Sequence, residues 1–114
     1  MSNSIEAIVK EQAETYNAHD LEGFTATFAP DVELYQLPDP TPFMVGREPL
    51  RQFYAENRFN LPDLHAEVVN EMGLGNFVIY DEDISGLSAD GIVKMIAIYQ
   101  VEADLIRRVW FIRK

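Results

Sequence analysis

The side chains best suited to acid–base chemistry form a short acidic run, Asp81-Glu82-Asp83, inside an apolar stretch. Consecutive residues of a β-strand point to opposite faces, so if both faces are covered at least one of these carboxylates turns inward. Desolvation of an inward Glu82 would raise its pKa toward the range that a general acid or base needs near neutral pH. The alternative, which we favour for such a run, is a solvated strand end or pairing with Arg107 and Arg108.

Two tyrosines and a histidine are candidate partners for that chemistry. Tyr16 and Tyr54 fall on apolar helical stripes, where a buried phenol needs a hydrogen-bond partner. We favour a backbone partner, with a bound ligand as the alternative. His65 stands at the entry to a predicted strand, where a surface or capping role is more common, although its ordinary pKa suits proton shuttling. Glu82 and His65 are therefore the candidate catalytic residues, and Tyr16 and Tyr54 are candidate ligand-binding residues.

Neither a metal nor a cofactor is predicted. The chain contains no cysteine, and its two histidines, His19 and His65, are far apart, so thiolate chemistry and a histidine-based metal site have no support. Gly73-Leu74-Gly75 is typical of a hairpin turn and lacks the third glycine and the following helix of a dinucleotide-binding loop. Any reaction would use the protein's own side chains.

Length and composition indicate one globular domain spanning residues 1–114, with 47% hydrophobic and 25% charged residues. Nine basic and nineteen acidic residues leave a formal charge of -10, which repels nucleic acid and anionic membranes and favours a neutral or cationic ligand. The chain shows neither a signal peptide nor an 18-residue apolar span, so we expect a cytoplasmic protein.

The first half of the chain predicts three helices and one strand. Apolar residues at helical spacing predict a helix over residues 4–18, with Asn3 and Glu6 as a capping box. Asp20 is predicted to cap a second helix whose buried stripe runs to Phe28 and which ends at Ala29-Pro30-Asp31.

An alternating segment then predicts a strand over residues 32–37. Three prolines between residues 38 and 42 predict irregular chain, because each lacks a backbone donor. A third helix is expected after Gly46, with Pro49 in its first position, and ends at about Arg58.

The second half predicts an antiparallel meander, because short turns separate four β-rich runs, at residues 65–73, 77–86, 92–102 and 105–113. The class is therefore α+β. The last two runs carry apolar residues at both odd and even positions, which point to opposite faces of a strand, so both faces of the sheet must be covered. Three helices can cover one face, and a second copy of the chain covers the other most economically, which predicts a homodimer through the outer sheet face.

Three segments carry a resemblance to a known family, namely Phe-Ala-Pro-Asp-Val (28–32), Gly-Arg-Glu-Pro-Leu (46–50) and Ile-Arg-Arg-Val-Trp-Phe-Ile (106–112). Together with the order of the elements, they resemble the NTF2-like superfamily and, within it, the SnoaL-like and ketosteroid-isomerase-like branch. The resemblance implies a cystatin-like cone, in which a strongly curved antiparallel sheet wraps around N-terminal helices and encloses a pocket, usually in a homodimer. The resemblance also implies that the Trp110 side chain lies on the outer face of the sheet, toward the dimer interface.

Ketosteroid isomerases use a carboxylate base on the first strand and two acid donors, a tyrosine and a protonated aspartate. The resemblance aligns Gln36 with the position of the base and Ala97 with the position of the aspartate. It aligns Gln12 with the position of the tyrosine, and Tyr16 follows one helical turn later. A primary amide cannot accept a proton at neutral pH, so steroid isomerisation by that mechanism is not expected. Gln36 is instead expected to orient a ligand by hydrogen bonds.

Two functions follow from these expectations. The first is a pocket for a small, largely apolar organic molecule, with cofactor-free isomerisation, cyclisation, hydration or dehydration as the reaction. The alternative is a non-catalytic ligand-binding or dimerisation module whose cavity is filled by phenylalanines and by Met44, Met72 and Met95. An open cavity with an inward carboxylate or imidazole would favour the enzyme.

Overall fold

Three helices and one six-stranded sheet make up residues 4–113, the part of the chain that the computed structural model describes. The helices are α1 (Ile5–Asn17), α2 (Leu21–Ala26) and α3 (Arg47–Asn57). The strands are β1 (Phe28–Gln36), β2 (Met44–Val45), β3 (His65–Leu74), β4 (Phe77–Ser88), β5 (Gly91–Glu102) and β6 (Leu105–Arg113). None of these three helices is long and apolar enough to cross a membrane. The α+β class is confirmed.

The sheet has the strand order β2-β1-β6-β5-β4-β3. Strands β3 to β6 form the predicted antiparallel meander, and β1 returns to lie parallel to β6. The β5–β6 hairpin turns on Ala103 and Asp104, whose φ angles of 51° and 64° match the primed turns that suit two-residue hairpins.

Bulges bend the long strands into a concave sheet. The pairing shifts register between Val68 and Asn70 on β3, and between Ile84 and Ser88 on β4. A bulge adds an unpaired residue and increases the local bend and twist. The concave face consequently surrounds the helices on one side, as the resemblance implied.

An aromatic cluster locks the helices against the concave face. Phe24 of α2 is fully buried, and its ring centroid lies 5.9 Å from Tyr16, 5.0 Å from Phe28, 4.7 Å from Tyr54 and 5.2 Å from Phe59. These contacts join α1, α2, α3 and β1, and tilted aromatic pairs add to the stabilisation from apolar burial. The cluster therefore fixes the positions of Tyr16 and Tyr54.

The predicted end of α2 is wrong. The helix ends at Ala26, and Phe28 opens β1 opposite Ile106 of β6. The register then shifts before Glu33, which leaves Pro30 in an irregular part of the ladder where its missing donor is tolerated. Phe28 is buried in the strand as it would have been in a helix, so helical spacing alone could not separate the two placements.

Side-chain caps define the starts of two of these three helices. Ser4 caps α1, its hydroxyl accepting a hydrogen bond from the Ala7 backbone at 3.1 Å, whereas the predicted Asn3 lies outside the described residues. Asp20 caps α2 as predicted, accepting from the backbone of Gly23 at 3.0 Å. Helix α3 begins at Arg47, so Pro49 is its third residue rather than its first.

Strand β2 was not predicted. The segment after the three prolines returns to the sheet edge, where Met44 pairs with Leu34 of β1. A two-residue edge strand has too short a pattern to stand out in the sequence.

Two glycines with positive φ differ in the space around them, and comparing their alanine variants tests how closely β4 approaches the chain before β3. Gly86 (φ 75°) faces the backbone of Asp63, with which an added Cβ would collide, whereas Gly75 (φ 61°) has open space around it. We expect Gly75→Ala to lower the free energy of unfolding by about 1 kcal/mol, the cost of the left-handed conformation. Gly86→Ala should cost about 3 kcal/mol or more, because the collision adds to that strain. Urea denaturation of both variants checks this, and equal losses would contradict the close approach.

Candidate functional site

A cavity of about 210 Å³ lies between the concave face of the sheet and the helices. Its walls are mostly apolar, with aromatic and aliphatic side chains from β1, β4, β5, β6 and the segment before α3. A few polar side chains also reach it, and they are Gln12 and Tyr16 of α1, Gln36 of β1, Tyr54 of α3, Arg58 just after α3, Glu82 of β4 and Tyr99 of β5.

Glu82 is the carboxylate of this cavity. It is 7% exposed, faces inward with Tyr80 and Ile84, and has Val68 and Met95 beside it on the neighbouring strands. Within residues 4–113, no side-chain hydrogen bond or ion pair involves Glu82, and burial alone raises its pKa to about 7. At neutral pH this group is present in both its acid and its base form.

The expected solvated placement of the acidic run is wrong for Glu82. Strand β4 continues through the whole run, so alternation sends Glu82 inward while its neighbour Asp83 points to the outer face. Asp83 forms an ion pair with Lys94 at 3.1 Å, rather than with Arg107 or Arg108. Those arginines pair elsewhere, Arg107 with Asp31 and Arg108 with Glu33.

Tyr16 and Tyr54 meet at the cavity, with ring centroids 6.3 Å apart. Among the described residues, neither hydroxyl has a hydrogen-bond partner, so the expected backbone partners are not found. Burial raises the pKa of Tyr54 to about 12 and that of Tyr16 further, and Glu82 and Arg58 also act on both hydroxyls. Both phenols therefore remain protonated and can donate hydrogen bonds into the cavity.

The two glutamines of the cavity differ in burial. Gln36 is exposed at the mouth, and its Nε2 donates a long hydrogen bond of 3.4 Å to the Phe111 carbonyl. Gln12 is 7% exposed, and its Oε1 is the one buried side-chain polar atom without a partner in the part of the chain that is described. Sequence reasoning treated Gln12 only as a missing donor, although its spacing of four residues from Tyr16 places both on one helix face.

His65 does not join this group. It is the exposed first residue of β3, and the next residue, Ala66, is the one that turns toward the cavity. His19 was expected to face solvent, but it is half-buried, with its Nε2 2.9 Å from the Leu64 carbonyl and its ring stacked on Phe59. In residues 4–113 no cluster of His, Cys, Asp or Glu is arranged to hold a metal ion.

The methionines do not fill the cavity. Met44 and Met95 line it, and Met72 is 64% exposed on the other side of the sheet. The open cavity and the inward carboxylate are the features that distinguish the expected enzyme from a filled module.

The convex face of the sheet forms a second surface of interest. It carries an apolar group that is half-buried or exposed, namely Tyr35, Met72, Leu74, Phe77, Ile79, Ile96, Ile98, Trp110 and Ile112. Trp110 stacks on Tyr35 at 5.5 Å, so it lies outside the cavity. Ion pairs border the group on either side, Glu33–Arg108 at 2.7 Å and Asp83–Lys94 at 3.1 Å.

A family model described as a SnoaL-like domain matches residues 9–109. Among solved structures, a cystatin-fold protein from Novosphingobium aromaticivorans is 25% identical, with a TM-score of 0.87 over 98% of this chain and 100% of that one. A candidate ketosteroid isomerase from Kribbella flavida is 21% identical, with a TM-score of 0.82 over 96% of this chain and 77% of that one.

A candidate polyketide cyclase from Sinorhizobium meliloti is 16% identical, with a TM-score of 0.78 over 92% of this chain and 93% of that one. These last two likenesses show the fold alone. No curated protein matches the chain in sequence.

The raised pKa of Glu82 makes protein stability depend on pH. The folded state binds this proton more tightly than the unfolded chain, in which the pKa is near 4.5, so stability is lost as pH rises from about 4.5 to about 7. The total loss is roughly 3 kcal/mol, at about 1.4 kcal/mol per pH unit. Glu82→Gln removes this titration, so we expect it to match the wild type near pH 4 and to be more stable at pH 8 by roughly that amount.

Urea denaturation at both pH values measures the effect. Asp83→Asn is the matched control, because it removes a carboxylate from the outer face of the same strand and should bring no gain at pH 8. A Glu82→Gln variant no more stable than the wild type at pH 8 would show that the carboxyl is not desolvated.

Proposed function

The chain belongs to the SnoaL-like domain family, and from this premise we propose that it is a cofactor-free acid–base enzyme whose cavity binds a small, largely apolar carbonyl compound. The reaction is proton transfer at the carbon next to the carbonyl group, which includes isomerisation and cyclisation.

The observation that carries this proposal is Glu82, a carboxyl group in an apolar cavity with no protein partner among residues 4–113 and a pKa of about 7. A structural carboxylate is normally paired, because burying an unpaired charge is costly. A general base, by contrast, works best with a pKa near the working pH and with free access to the substrate. Glu82 has a pKa of about 7 and lines the cavity, which supports this role.

In this mechanism the Glu82 carboxylate removes a proton from the carbon next to the carbonyl. The electrons of the C–H bond move onto the carbonyl oxygen and form an enolate, which the hydroxyls of Tyr16 and Tyr54 stabilise by hydrogen bonds. When the substrate is a β,γ-unsaturated carbonyl compound the enolate is a dienolate, and Glu82 returns the proton to its γ-carbon, which moves the double bond into conjugation and completes an isomerisation. In a cyclisation, the enolate carbon attacks a second carbonyl of the same molecule, and the proton goes to the new alkoxide.

The remaining polar side chains have supporting roles. Arg58 brings a positive charge to the cavity wall, where it favours the developing enolate, and Gln36 orients the ligand at the mouth. The apolar walls exclude water from the reaction. Two solved structures with this fold are named for isomerase and cyclase activities, and both activities fall within the proposed reaction class.

We also propose that the chain acts as a homodimer through the convex face. An apolar centre bordered by ion pairs is the usual anatomy of a protein interface. Strands β5 and β6 carry apolar residues at both odd and even positions, and therefore on both faces of the sheet. The helices cover the concave side alone. The partner is therefore a second copy of this chain.

Exchange of carbon-bound hydrogen for deuterium tests the catalytic proposal without knowledge of the natural substrate. The probes are three neutral ketones, 1-indanone, 2-indanone and cyclohex-2-enone, in D2O, followed by proton NMR. We expect the wild type to accelerate exchange next to the carbonyl and Glu82→Gln to reduce that acceleration by about a hundredfold or more. The rate should rise with pH and level off above about 7, because the base form of Glu82 is required.

Asp83→Asn serves again as the control and should keep the activity. Full exchange activity in Glu82→Gln would place the base elsewhere. Binding of the ketones by the wild type without any exchange would instead assign the cavity to ligand binding alone.

The dimer is tested by the mass in solution. Light scattering should give twice 13.0 kDa for the wild type. Ile98→Glu places a charge at the centre of the convex face and should give the monomer mass, whereas Gln52→Glu adds the same charge on exposed α3 and should remain a dimer. A monomeric wild type at micromolar concentration would overturn the proposal.

A further inference from the structure

Arg58 is the one basic side chain that lines the cavity in the part of the chain that the structure describes. It is half-buried at the end of α3, and within residues 4–113 it forms no ion pair. Four other basic side chains do pair with acidic residues, namely Arg51, Lys94, Arg107 and Arg108. In a chain with nineteen acidic residues, a cation left beside an apolar cavity is available to an anionic ligand.

Neighbouring groups hold the Arg58 guanidinium beside the cavity. It lies over the ring of Phe53, 5.0 Å from the ring centroid, and Phe53 itself lines the cavity. Its Nη1 donates a hydrogen bond of 2.8 Å to the Asn57 carbonyl, which leaves the edge formed by Nε and Nη2 for a ligand. That edge matches the two oxygens of a carboxylate, and a planar group already fixed by stacking loses little freedom when it binds.

The position of Arg58 relative to the tyrosines gives the cavity a direction. The Arg58 backbone N–H donates to the Tyr54 carbonyl at 3.1 Å, so the two residues stand one helical turn apart. Besides burial, which raises the pKa of the Tyr16 and Tyr54 hydroxyls, Arg58 acts to lower that pKa and Glu82 acts to raise it. The pKa of Glu82 itself is shifted by burial alone. The tyrosine hydroxyls therefore lie between the cation and the carboxyl group.

The polar atoms of this row are open to the cavity. Within residues 4–113, Gln12 Oε1 is the only unpartnered side-chain polar atom that is fully enclosed. The hydroxyls of Tyr16 and Tyr54 and the carboxyl of Glu82 have no partner there either, so each retains surface that a ligand can contact. Arg58 is only half-buried and is reachable as well.

We propose, on the basis of the function above, that the substrate is a 2-oxo acid with one apolar ring, whose carboxylate binds Arg58 while its ketone accepts hydrogen bonds from Tyr16 and Tyr54. In such a compound the ketone stands between the carboxylate and the carbon that carries the acidic hydrogens. The cavity presents its groups in the same order, from Arg58 through the tyrosines to Glu82. The formal charge of -10 disfavours anions in general, and Arg58 is the local exception that selects a carboxylate.

Keto–enol interconversion is the reaction of this substrate class. The Glu82 carboxylate takes a proton from the carbon beside the ketone, the electrons of that C–H bond form a carbon–carbon double bond, and the carbonyl electron pair moves onto the oxygen. Return of a proton to the oxygen gives the enol, and return to the carbon regenerates the ketone. Neither outcome needs a cofactor or a second reactant.

The cavity volume limits the size of the ring. An apolar cavity of about 150 Å³ accommodates one benzene molecule. The present cavity, about 210 Å³, is therefore large enough for a phenyl ring with a short oxo-acid chain whose carboxylate reaches the half-buried Arg58. Phenylpyruvate is a simple compound of this class and serves as the reactive probe below.

Binding of a matched pair of compounds tests the inference without turnover. The anionic probe is benzoylformate, a 2-oxo acid with no hydrogen next to its ketone. The neutral probe is 1-phenylpropane-1,2-dione, in which a methyl group replaces one carboxylate oxygen. Dissociation constants are measured by titration calorimetry at pH 6 and low salt. We expect the wild type to bind benzoylformate about tenfold more tightly than the dione.

Three variants identify the residue responsible for this preference. Arg58→Met keeps an apolar stem and removes the charge, so the preference should vanish while the dione binds about as well as before. Arg58→Lys keeps the charge without the bidentate edge and should retain part of the preference. Arg51→Met removes the same charge from the same helix but outside the cavity, and should leave the preference unchanged. Circular dichroism and the melting temperature confirm that the variants are folded.

Deuterium exchange connects the anion site to the reaction. In D2O at pH 7.5, we compare the benzylic hydrogens of phenylpyruvate with those of neutral 1-phenylpropan-2-one, each relative to its uncatalysed rate. The wild type should favour phenylpyruvate by about tenfold in kcat/KM, and Arg58→Met should remove the difference chiefly by raising KM, because the contact is the same in bound substrate and enolate. Glu82→Gln should stop exchange of both compounds and still prefer benzoylformate in the binding assay.

A preference for benzoylformate that disappears in Arg58→Met and persists in Arg51→Met supports the inference. Equal binding of the two probes by the wild type overturns it, as does a preference that Arg58→Met retains. The two proposals fail in different ways. Exchange of neutral ketones without any carboxylate preference would refute this inference alone, and a carboxylate preference without exchange of any ketone would refute the proposed reaction alone.

Discussion

Burial of one carboxyl group, with no compensating cation among residues 4–113, is the constraint on which this site depends. Glu82 sits in the middle of β4, and the strands on either side present Val68 and Met95 to it. Desolvation penalises its charged form, so its pKa moves to about 7. The fold therefore carries a cost at neutral pH that an apolar residue at this position would avoid, and the proposed role of Glu82 as a base would account for that cost.

Packing elsewhere in the fold compensates for the cost of burying Glu82. The aromatic cluster centred on Phe24 joins all three helices to the first strand, and the bulges in β3 and β4 bend the sheet around them. Curvature prevents the helices from filling the concave face completely, and the space that remains is the cavity. The same packing that holds the fold together thus creates the low-dielectric environment that shifts the pKa of Glu82.

The two faces of the sheet carry different kinds of side chain. The concave face supplies apolar walls and the Glu82 carboxyl to the cavity, whereas the convex face is apolar at its centre and bordered by ion pairs such as Glu33–Arg108. Alternation along each strand allows one sequence to supply both surfaces at once. Glu82 and Asp83, neighbours in the chain, illustrate this division, since one faces the cavity and the other an exposed lysine.

Local patterns in the sequence determined several helices, caps and strand faces of this protein. Helical spacing predicted α1, the acidic residue before Leu21 predicted the cap of α2, and strand alternation placed Glu82 with Tyr80 and Ile84. These features depend on residues close together in the chain, and the resemblance of three segments to the SnoaL-like branch supplied the overall cone. The tertiary structure alone decided that Phe28 belongs to a strand, that His19 is half-buried, that His65 stands apart from the cavity and that Gln12 is buried with an unpaired oxygen among the described residues. Each of these outcomes depends on pairing register, bulges or packing between segments far apart in the chain, and such contacts leave no periodic trace in the sequence.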